Sequence, residues 1–447
     1  MRHGGRIQAA IEVLEDVIEQ HTPAAQALRD WGKAHRFAGS KDRACIGGIV
    51  FDALRRKSST LWRMGIEGEV DKAEAKENGS ARALVLGTMV WCWDESVESL
   101  TTTFAEDDHS PAALTKDEIA ALKGVRDLNM APDWIRADIP EWIWPAFTNN
   151  FGENAVAEGQ AMLARPPLDL RVNALKTEPK AALAKLKAFG GVAAELSPMG
   201  IRIKAGTKLD RLPNIQSDPV YLMGEVEIQD EGSQIVSMMV DAKPGETVLD
   251  YCAGGGGKTL ALAADMQNEG KIYAYDIDKR RLAPLYARTQ RAGATNVEVM
   301  QPPQNNLKKL RGSIDRVLVD APCTGSGTWR RHPDAKWRLS LSTLELRMAE
   351  QKTVLEQAKQ YVRPDGLLVY VTCSLFAEEN EGQVYGFLEE NEDFELLSAG
   401  EVWEDRIGTE KAMPWSEDGC TLTMTPASTD TDGFFLAVMR KMKKENS

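Results

Sequence analysis

The sequence predicts an α/β fold: a doubly wound, mostly parallel sheet in its second half, preceded by a small α+β module and an all-helical region. After Thr247, short apolar segments alternate with helix-forming segments, as is typical of parallel strands buried on both faces. These segments are Val248–Leu249, Ile272–Tyr275, Val297–Val299, Val317–Val319 and Leu367–Val371. Two further strand-like segments, Thr421–Thr425 and Phe434–Met439, are expected to form a terminal antiparallel pair.

The N-terminal region shows helical periodicity. Apolar residues recur at i, i+3, i+4 and i+7 over residues 7–18 and again over residues 46–54, which predicts amphipathic helices. The polar residues 66–80 are expected to connect two helices. We assign three domains by residue range: a helical domain at 1–125, a linker with a small α+β module at 126–215, and the doubly wound domain at 216–447.

The composition is that of a soluble globular protein, because 43% of the 447 residues are hydrophobic and 27% are charged. No apolar run approaches the ~20 residues that span a bilayer, so we expect no membrane segment. The six cysteines form no CxxC pair and no zinc-type Cys/His spacing. We therefore expect no metal site and a reducing, cytoplasmic location. We also expect a monomer.

The net charge is −13, but the charges are unevenly distributed. Residues 279–347 carry fourteen Lys or Arg residues against five Asp or Glu residues. A basic face on an acidic protein can bind nucleic acid, because the attraction acts within a Debye length of about 8–10 Å. A solvated helix face explains the charge equally well, so charge alone leaves both interpretations open.

A glycine-rich loop, Asp250-Tyr-Cys-Ala-Gly-Gly-Gly-Gly-Lys-Thr259, lies between the first strand of the predicted sheet and a helix. Glycines let the backbone approach a ligand, and a helix N-terminus offers free N–H groups. The loop nearly matches the phosphate-binding P-loop, but Cys252 stands where that motif requires its first glycine. Asp276, which ends the next strand, can accept hydrogen bonds from ribose hydroxyls. This favours a nucleoside cofactor such as NAD or S-adenosylmethionine, and the loop lacks the glycine spacing typical of NAD sites.

Two cysteines follow two predicted strands. Asp320-Ala-Pro-Cys323 comes after one strand and Cys373 after the other. If these strands are adjacent, ~4.8 Å apart, the three side chains converge at the carboxyl edge of the sheet, where ligands bind in α/β folds. A single cysteine is more often a small, buried apolar side chain than a nucleophile. Cytosine methylation explains the whole set: a thiolate added at carbon 6 makes carbon 5 nucleophilic, and a second group must later remove the carbon 5 proton.

Four long blocks occur in the order DYCAGGGGKT, DAPCTGSGTWRRHPDAKW, TCSLFAEENE and DGFFLA. Together they resemble the RsmB/Nop/Sun family of RNA cytosine-5 methyltransferases, and RRHPDAKW resembles its bacterial RsmB branch. The resemblance implies a Rossmann-like class I methyltransferase sheet at 216–447, a small N1-like module before it, and a NusB-like RNA-binding domain at 1–125. It also implies S-adenosyl-L-methionine as cofactor and RNA as partner.

The resemblance further implies roles for individual residues. Cys373 would be the nucleophile, Asp320 would hydrogen-bond the cytosine, and Cys323 would help release the product. The predicted cofactor-binding residues are Cys252, Ala253, Gly254, Gly255, Gly256, Gly257, Lys258, Asp276, Gln301 and Asp320. RNA is expected to bind across the basic 279–347 face, and the residues expected closest to the catalytic edge are Arg330, Arg331, Lys336 and Arg338.

Two positions depart from the family pattern. Gly254 and Gly255 replace its Ala-Pro pair, and the aspartate that the family places near the adenine is absent after the third strand. Gln301 or Asn305 is expected to substitute for it. Ribosomal RNA is the expected substrate, with tRNA as the nearest alternative. A P-loop nucleotide triphosphatase is disfavoured by Cys252, and a non-catalytic RNA-binding protein has no need of the two edge cysteines.

Overall fold

The structure is a computed structural model that describes residues 1–66, 80–124, 126–206, 208, 212–408, 410–411, 414, 416 and 419–443. The side chain of Asn305 and nearly all of the polar connection at 66–80 lie outside the described part. Within the described part, no helix combines the length and the apolar character that a bilayer-crossing segment requires.

The helices and strands are numbered here in chain order. The α-helices of the described residues are α1 (His3–Gln20), α2 (Ala24–Ala34), α3 (Ser40–Arg55), α4 (Lys57–Arg63), α5 (Ser80–Trp91), α6 (Val97–Glu106), α7 (Lys116–Lys123), α8 (Asp133–Arg136), α9 (Trp144–Phe151), α10 (Ala155–Ala161), α11 (Pro179–Leu186), α12 (Pro219–Leu222), α13 (Glu231–Met239), α14 (Gly257–Asp265), α15 (Lys279–Ala292), α16 (Pro333–Arg338), α17 (Leu341–Ala358), α18 (Glu381–Glu390), α19 (Ala399–Arg406) and α20 (Pro426–Thr429). The strands are β1 (Leu168–Val172), β2 (Val192–Ala193), β3 (Gly200–Ile203), β4 (Val226–Ile228), β5 (Thr247–Asp250), β6 (Lys271–Tyr275), β7 (Val297–Met300), β8 (Ile314–Asp320), β9 (Val362–Thr372), β10 (Phe394–Leu396), β11 (Thr421–Met424) and β12 (Phe434–Lys441).

The chain folds into two compact units. The helical unit comprises residues 1–165, 206–211 and 329–339, and the sheet unit comprises residues 166–205, 212–328 and 340–447. The stretch 329–339 directly follows the Cys323 motif in sequence, yet it belongs to the helical unit.

The helical unit confirms the predicted amphipathic helices. α1 buries Ile7 and Leu14, and α3 buries Ile46 and Ile49, in one apolar core. Helices α8, α9 and α10 occupy the stretch predicted as a linker. Each has only four to eight residues, too few periods for a helical pattern to emerge from the sequence.

The sheet unit begins with a small antiparallel sheet of strand order β2-β3-β1-β4. β4 pairs with β1 through Leu170↔Ile228 and Val172↔Val226. The α+β module therefore continues past residue 215, where the sequence analysis ended it. The pattern missed β4 because this strand is three residues long with a glutamate at its centre.

The large sheet has the strand order β10-β12-β9-β8-β5-β6-β7, and β11 pairs with β12. Strands β5 to β9 are parallel, and β12 runs antiparallel to β9, which confirms the predicted doubly wound sheet with a terminal antiparallel pair. Within β8, Leu318 packs into one apolar core while Val317 and Val319 pack into another. Burial on both faces explains why the strands have nearly unbroken apolar sequences.

Candidate active site

Two cysteine loops meet at the carboxyl edge of the large sheet. β8 and β9 are adjacent and parallel, with Asp320 paired with Val371, so the residues that follow these strands emerge side by side. The sulfurs of Cys323 and Cys373 lie 3.4 Å apart. The predicted convergence of the two motifs is therefore confirmed.

Asp320 forms an ion pair with the lysine of the glycine loop. Lys258 Nζ donates to Asp320 Oδ2 at 2.8 Å, and the Lys258 side chain is only 9% exposed while that of Asp320 is 33% exposed. Burial by itself would lower the pKa of Lys258, but the charge of Asp320 and its hydrogen bond outweigh burial and raise that pKa, with a further contribution from Cys373. A permanent cation thus lies at the edge where Cys373 emerges.

The surroundings of Cys323 keep its thiol protonated. The hydrogen bond to Cys373, followed by burial, raises the pKa of Cys323 well above its ordinary value. Cys323 therefore holds the proton and can donate it toward the Cys373 sulfur. A protonated Cys323 thus lies within hydrogen-bond distance of the Cys373 sulfur.

A fully buried carboxylate, Glu379, lies against both cysteine loops. It accepts hydrogen bonds from Thr324, next to Cys323, and from Ser374, next to Cys373. Glu379 has no predicted role from the sequence. Its one signal was a carboxylate six residues after Cys373, and nothing in the sequence indicated a contact with the distant Cys323 loop.

The glycine loop turns sharply before α14 begins at Gly257. Gly256 has φ = 81°, and a Cβ there would meet Leu285 Cδ1 at 2.0 Å, so only glycine fits. A Cβ at Gly257 would meet nothing closer than 4.0 Å, which leaves open space at the start of the helix. The N-terminus of α14 at Gly257 is therefore open to a ligand.

Two buried carboxylates flank the loop. Asp276 accepts hydrogen bonds from the N–H groups of Gly254, at 3.0 Å, and Asp278, at 2.8 Å. Each oxygen keeps a second acceptor position that a ribose hydroxyl can use. Asp250 Oδ1 is buried and has no hydrogen-bond partner within the described part of the chain, and burial raises the pKa of Asp250 to about 7. A polar ligand with a ribose fits this set of groups.

The other predicted cofactor residues have mixed surroundings. The backbone N–H of Ala253 donates to the Tyr275 carbonyl at 2.8 Å, which joins the loop to the end of β6. The Cys252 thiol has its pKa raised well above the ordinary value by burial and then by nearby carboxylates, so it stays protonated. Gln301 is exposed and donates to the Tyr286 hydroxyl at 2.9 Å. Its contact with an adenine stays a prediction.

The predicted RNA contacts lie in the helical unit, and two of them are buried. Arg330 and Lys336 are each 2% exposed, which contradicts the prediction that their side chains reach a phosphate. Lys336 Nζ lies 3.5 Å from the Arg55 carbonyl, and burial lowers its pKa to about 8. Arg331 and Arg338 are partly exposed, and Arg338 pairs with Asp334 at 3.0 Å.

The sheet order, the glycine loop after β5 and the carboxylate after β6 define a class of enzyme. These are the features of a Rossmann-like methyltransferase that uses S-adenosylmethionine. The sheet unit is therefore the methyltransferase part of the chain. The geometry of the P-loop alternative fails, because Lys258 is turned onto Asp320 and buried rather than presented to a phosphate.

Comparison with known proteins gives the family. Residues 237–440 match the family model described as 16S rRNA methyltransferase RsmB/F, and residues 139–210 match the ferredoxin-like domain of RsmF/B-like methyltransferases. The chain belongs to the RsmB/F family, which confirms the predicted family and its cofactor, S-adenosylmethionine.

Individual relatives agree with this assignment. The chain is 33% identical over 311 residues to a probable ribosomal RNA small subunit methyltransferase B of Synechocystis, an alignment that spans 68% of this chain and 66% of the relative. It is 31% identical to ribosomal RNA small subunit methyltransferase B of Sodalis glossinidius, over 72% of this chain and 68% of the relative. The crystal structure of PH0851 superposes with a TM-score of 0.74 at 25% identity and covers 99% of both chains.

Proposed function

We propose that this protein transfers a methyl group from S-adenosylmethionine to carbon 5 of a cytosine in small-subunit ribosomal RNA. The observation that carries the proposal is the pair of cysteine sulfurs 3.4 Å apart beside the Lys258–Asp320 ion pair. Cytosine methylation needs one thiolate that attacks and one group that accepts a proton later, and this pair supplies both. The choice of ribosomal RNA rests on the relatives, which are named ribosomal RNA small subunit methyltransferase B.

Attack begins with the thiolate of Cys373, which adds to carbon 6 of the cytosine. Cys323, whose raised pKa keeps it protonated, can donate a hydrogen bond to the attacking sulfur. Lys258, buried and cationic beside Asp320, stabilises the negative charge that moves from the thiolate into the ring. The partly exposed Asp320 accepts a hydrogen bond from the exocyclic amine and orients the base.

Bound S-adenosylmethionine supplies the electrophilic methyl group that carbon 5 accepts. The residues that would hold it are the glycine loop, through its backbone N–H groups, and Asp276, through its carboxylate. Because Lys258 lies in the first turn of α14, directly after the glycine loop, one helix start orients both the cofactor site and the cation beside Asp320.

Release reverses the attack. Once the Cys373 sulfur is bonded to carbon 6 it carries no charge, so the main cause of the raised pKa of Cys323 disappears. Cys323 can then lose its proton to solvent and take the proton of carbon 5. The electron pair of that C–H bond restores the carbon 5–carbon 6 double bond, and Cys373 leaves as a thiolate. The cysteine pair returns to its starting state with one proton released in each turnover.

Bisulfite sequencing of RNA from cells with and without the protein tests this proposal. We expect one cytosine of small-subunit ribosomal RNA to lose its methylation when the protein is absent, and to regain it with the wild-type chain but not with Cys373→Ala. Loss of methylation in a tRNA instead would identify the nearest alternative substrate. Unchanged cytosine methylation in all RNA would contradict the proposal.

A further inference from the structure

Glu379 is a buried carboxylate that belongs to neither the cofactor loop nor the Lys258–Asp320 pair. Its side chain is fully buried, and its hydrogen bonds come from both cysteine loops. From the Cys323 loop, Thr324 donates through its backbone N–H at 2.9 Å and through its hydroxyl at 2.5 Å. From the Cys373 loop, the Ser374 hydroxyl donates to Glu379 Oε2.

A fourth hydrogen-bond donor to Glu379 comes from α17. Gln351 Nε2 donates to Glu379 Oε1 at 2.9 Å and also to the Pro322 carbonyl at 2.9 Å. The Cys323 loop is thus held at the residues immediately before and after the cysteine. On the other loop, the residue immediately after Cys373 is held by the same carboxylate.

These contacts use the full acceptor capacity of the carboxylate. Oε1 accepts from the Thr324 N–H and from Gln351, and Oε2 accepts from the hydroxyls of Thr324 and Ser374. A carboxylate has about four acceptor positions, so no position remains for a substrate group. This argues against a role for Glu379 as an acid or base in the reaction. Hydrogen bonds to a carboxylate are about twice as strong as neutral ones, which suits a rigid support.

We infer that Glu379 is a positioning residue that holds the Cys323 and Cys373 sulfurs at the separation that attack by one and release by the other require. The inference rests on the proposed function, which gives one cysteine the attack and the other the release. Burying a carboxylate costs free energy unless every oxygen is paired. Here Thr324 and Ser374, which donate to the carboxylate, belong to the two loops whose sulfurs are 3.4 Å apart. Glu379 therefore links both loops through hydrogen bonds.

Three variants of the full-length protein separate this role from general stability. Glu379→Gln keeps the size of the side chain but replaces one accepting oxygen with a donor. Thr324→Val removes only the hydroxyl bond of the Cys323 loop and leaves the Ser374 bond to the Cys373 loop intact. Glu378→Gln is the matched control, since it removes a carboxylate from the adjacent, half-buried position. Single-turnover methyl transfer to unmethylated small-subunit ribosomal RNA, S-adenosylmethionine affinity by calorimetry, and denaturant-stable protein–RNA adduct are measured for each.

For Glu379→Gln we expect methyl transfer to slow about a hundredfold, the effect of a 1 Å misplacement, with cofactor affinity within threefold of wild type. For Thr324→Val we expect first-turnover transfer within about fivefold of wild type, followed by an adduct that persists because Cys323 is misplaced for release. Glu378→Gln should behave as wild type. A merely structural role would lower cofactor affinity and transfer together and would trap no adduct.

Two results would overturn the inference: transfer by Glu379→Gln within threefold of wild type at unchanged cofactor affinity, or full turnover by Thr324→Val with no adduct. If Glu379→Gln fails to bind the cofactor because it does not fold, the turnover and the adduct of Thr324→Val test the inference instead. Absence of methylation by the wild-type protein would contradict the proposed function itself, and this is measured separately from the variants.

Discussion

The two halves of one contiguous sequence block, DAPCTGSGTWRRHPDAKW, belong to different structural units. The first half, residues 320–328, lies at the carboxyl edge of the large sheet and carries Asp320 and Cys323. The second half, residues 329–337, belongs to the helical unit, where α16 buries Pro333, Asp334 and Lys336. Neighbouring positions in one motif can therefore belong to different structural units.

Each unit contains a buried lysine, and the pKa values of the two lysines shift in opposite directions. Lys258 lies 2.8 Å from a carboxylate, which outweighs burial and raises its pKa, whereas burial dominates at Lys336 and lowers its pKa to about 8 despite the nearby Asp138. Lys258 is therefore kept charged at the carboxyl edge of the large sheet. The second is a buried cation with three basic neighbours, Arg55, Arg56 and Lys57, close enough to oppose its charge. The difference shows that a count of basic residues along the sequence does not locate a binding face.

The largest expected effect follows from replacing Lys258, the cation at the carboxyl edge of the large sheet. Lys258→Met should slow single-turnover methyl transfer by about a hundredfold or more, because electrostatic stabilisation of the developing charge is lost. Lys336→Met should leave this rate within about twofold of wild type. A similar loss in both variants would mean that the two lysines do not differ in function, contrary to the comparison.

The cofactor site gives the next effect. Asp276→Ala should weaken S-adenosylmethionine binding by about 1.5–3 kcal/mol, the scale of a hydrogen bond to a charged group, and calorimetry measures it. ATP serves as the control ligand and should not bind the wild-type protein at micromolar concentration. Binding of ATP but not of S-adenosylmethionine would instead favour a P-loop nucleotide triphosphatase.

The buried lysine of the helical unit predicts a pH dependence of stability. Between pH 8 and pH 10.5 the unfolded chain holds a proton on this lysine that the folded chain has released. The unfolded state then binds more protons, so this lysine makes the free energy of unfolding rise with pH across that window. Lys336→Met should remove that rise and stabilise the protein at pH 7 by roughly 1–3 kcal/mol. Denaturant unfolding at pH 7 and pH 9.5 measures both changes, and equal stability of the two proteins at both pH values would contradict the expectation.

The smallest effect concerns RNA affinity. Arg331 and Arg338 remain partly exposed, so replacing both with Ala should reduce the slope of log affinity against log salt by about 1–2. The buried Lys336 should contribute nothing to that slope. An unchanged slope in the double variant would place the phosphate contacts elsewhere on the protein.

Several features of the site were predictable because they depend on local pattern. Strands buried on both faces have unbroken apolar sequences, so β8 and β9 could be found, and the residues after them had to emerge at one sheet edge. The contact of Glu379 with Thr324 joins residues 55 positions apart and depends on the packing of both loops against α17. The burial of Lys336 likewise depends on tertiary packing, since a lysine in a polar segment indicates an exposed side chain.

We propose that Cys373 attacks the cytosine and that Cys323 releases the methylated product. A gel of protein incubated with unmethylated ribosomal RNA and S-adenosylmethionine, then denatured in detergent, tests it directly. Cys323→Ala should accumulate a shifted protein–RNA adduct, while Cys373→Ala and the double variant should show none. An adduct with Cys373→Ala and none with Cys323→Ala would contradict the account and reverse the two roles.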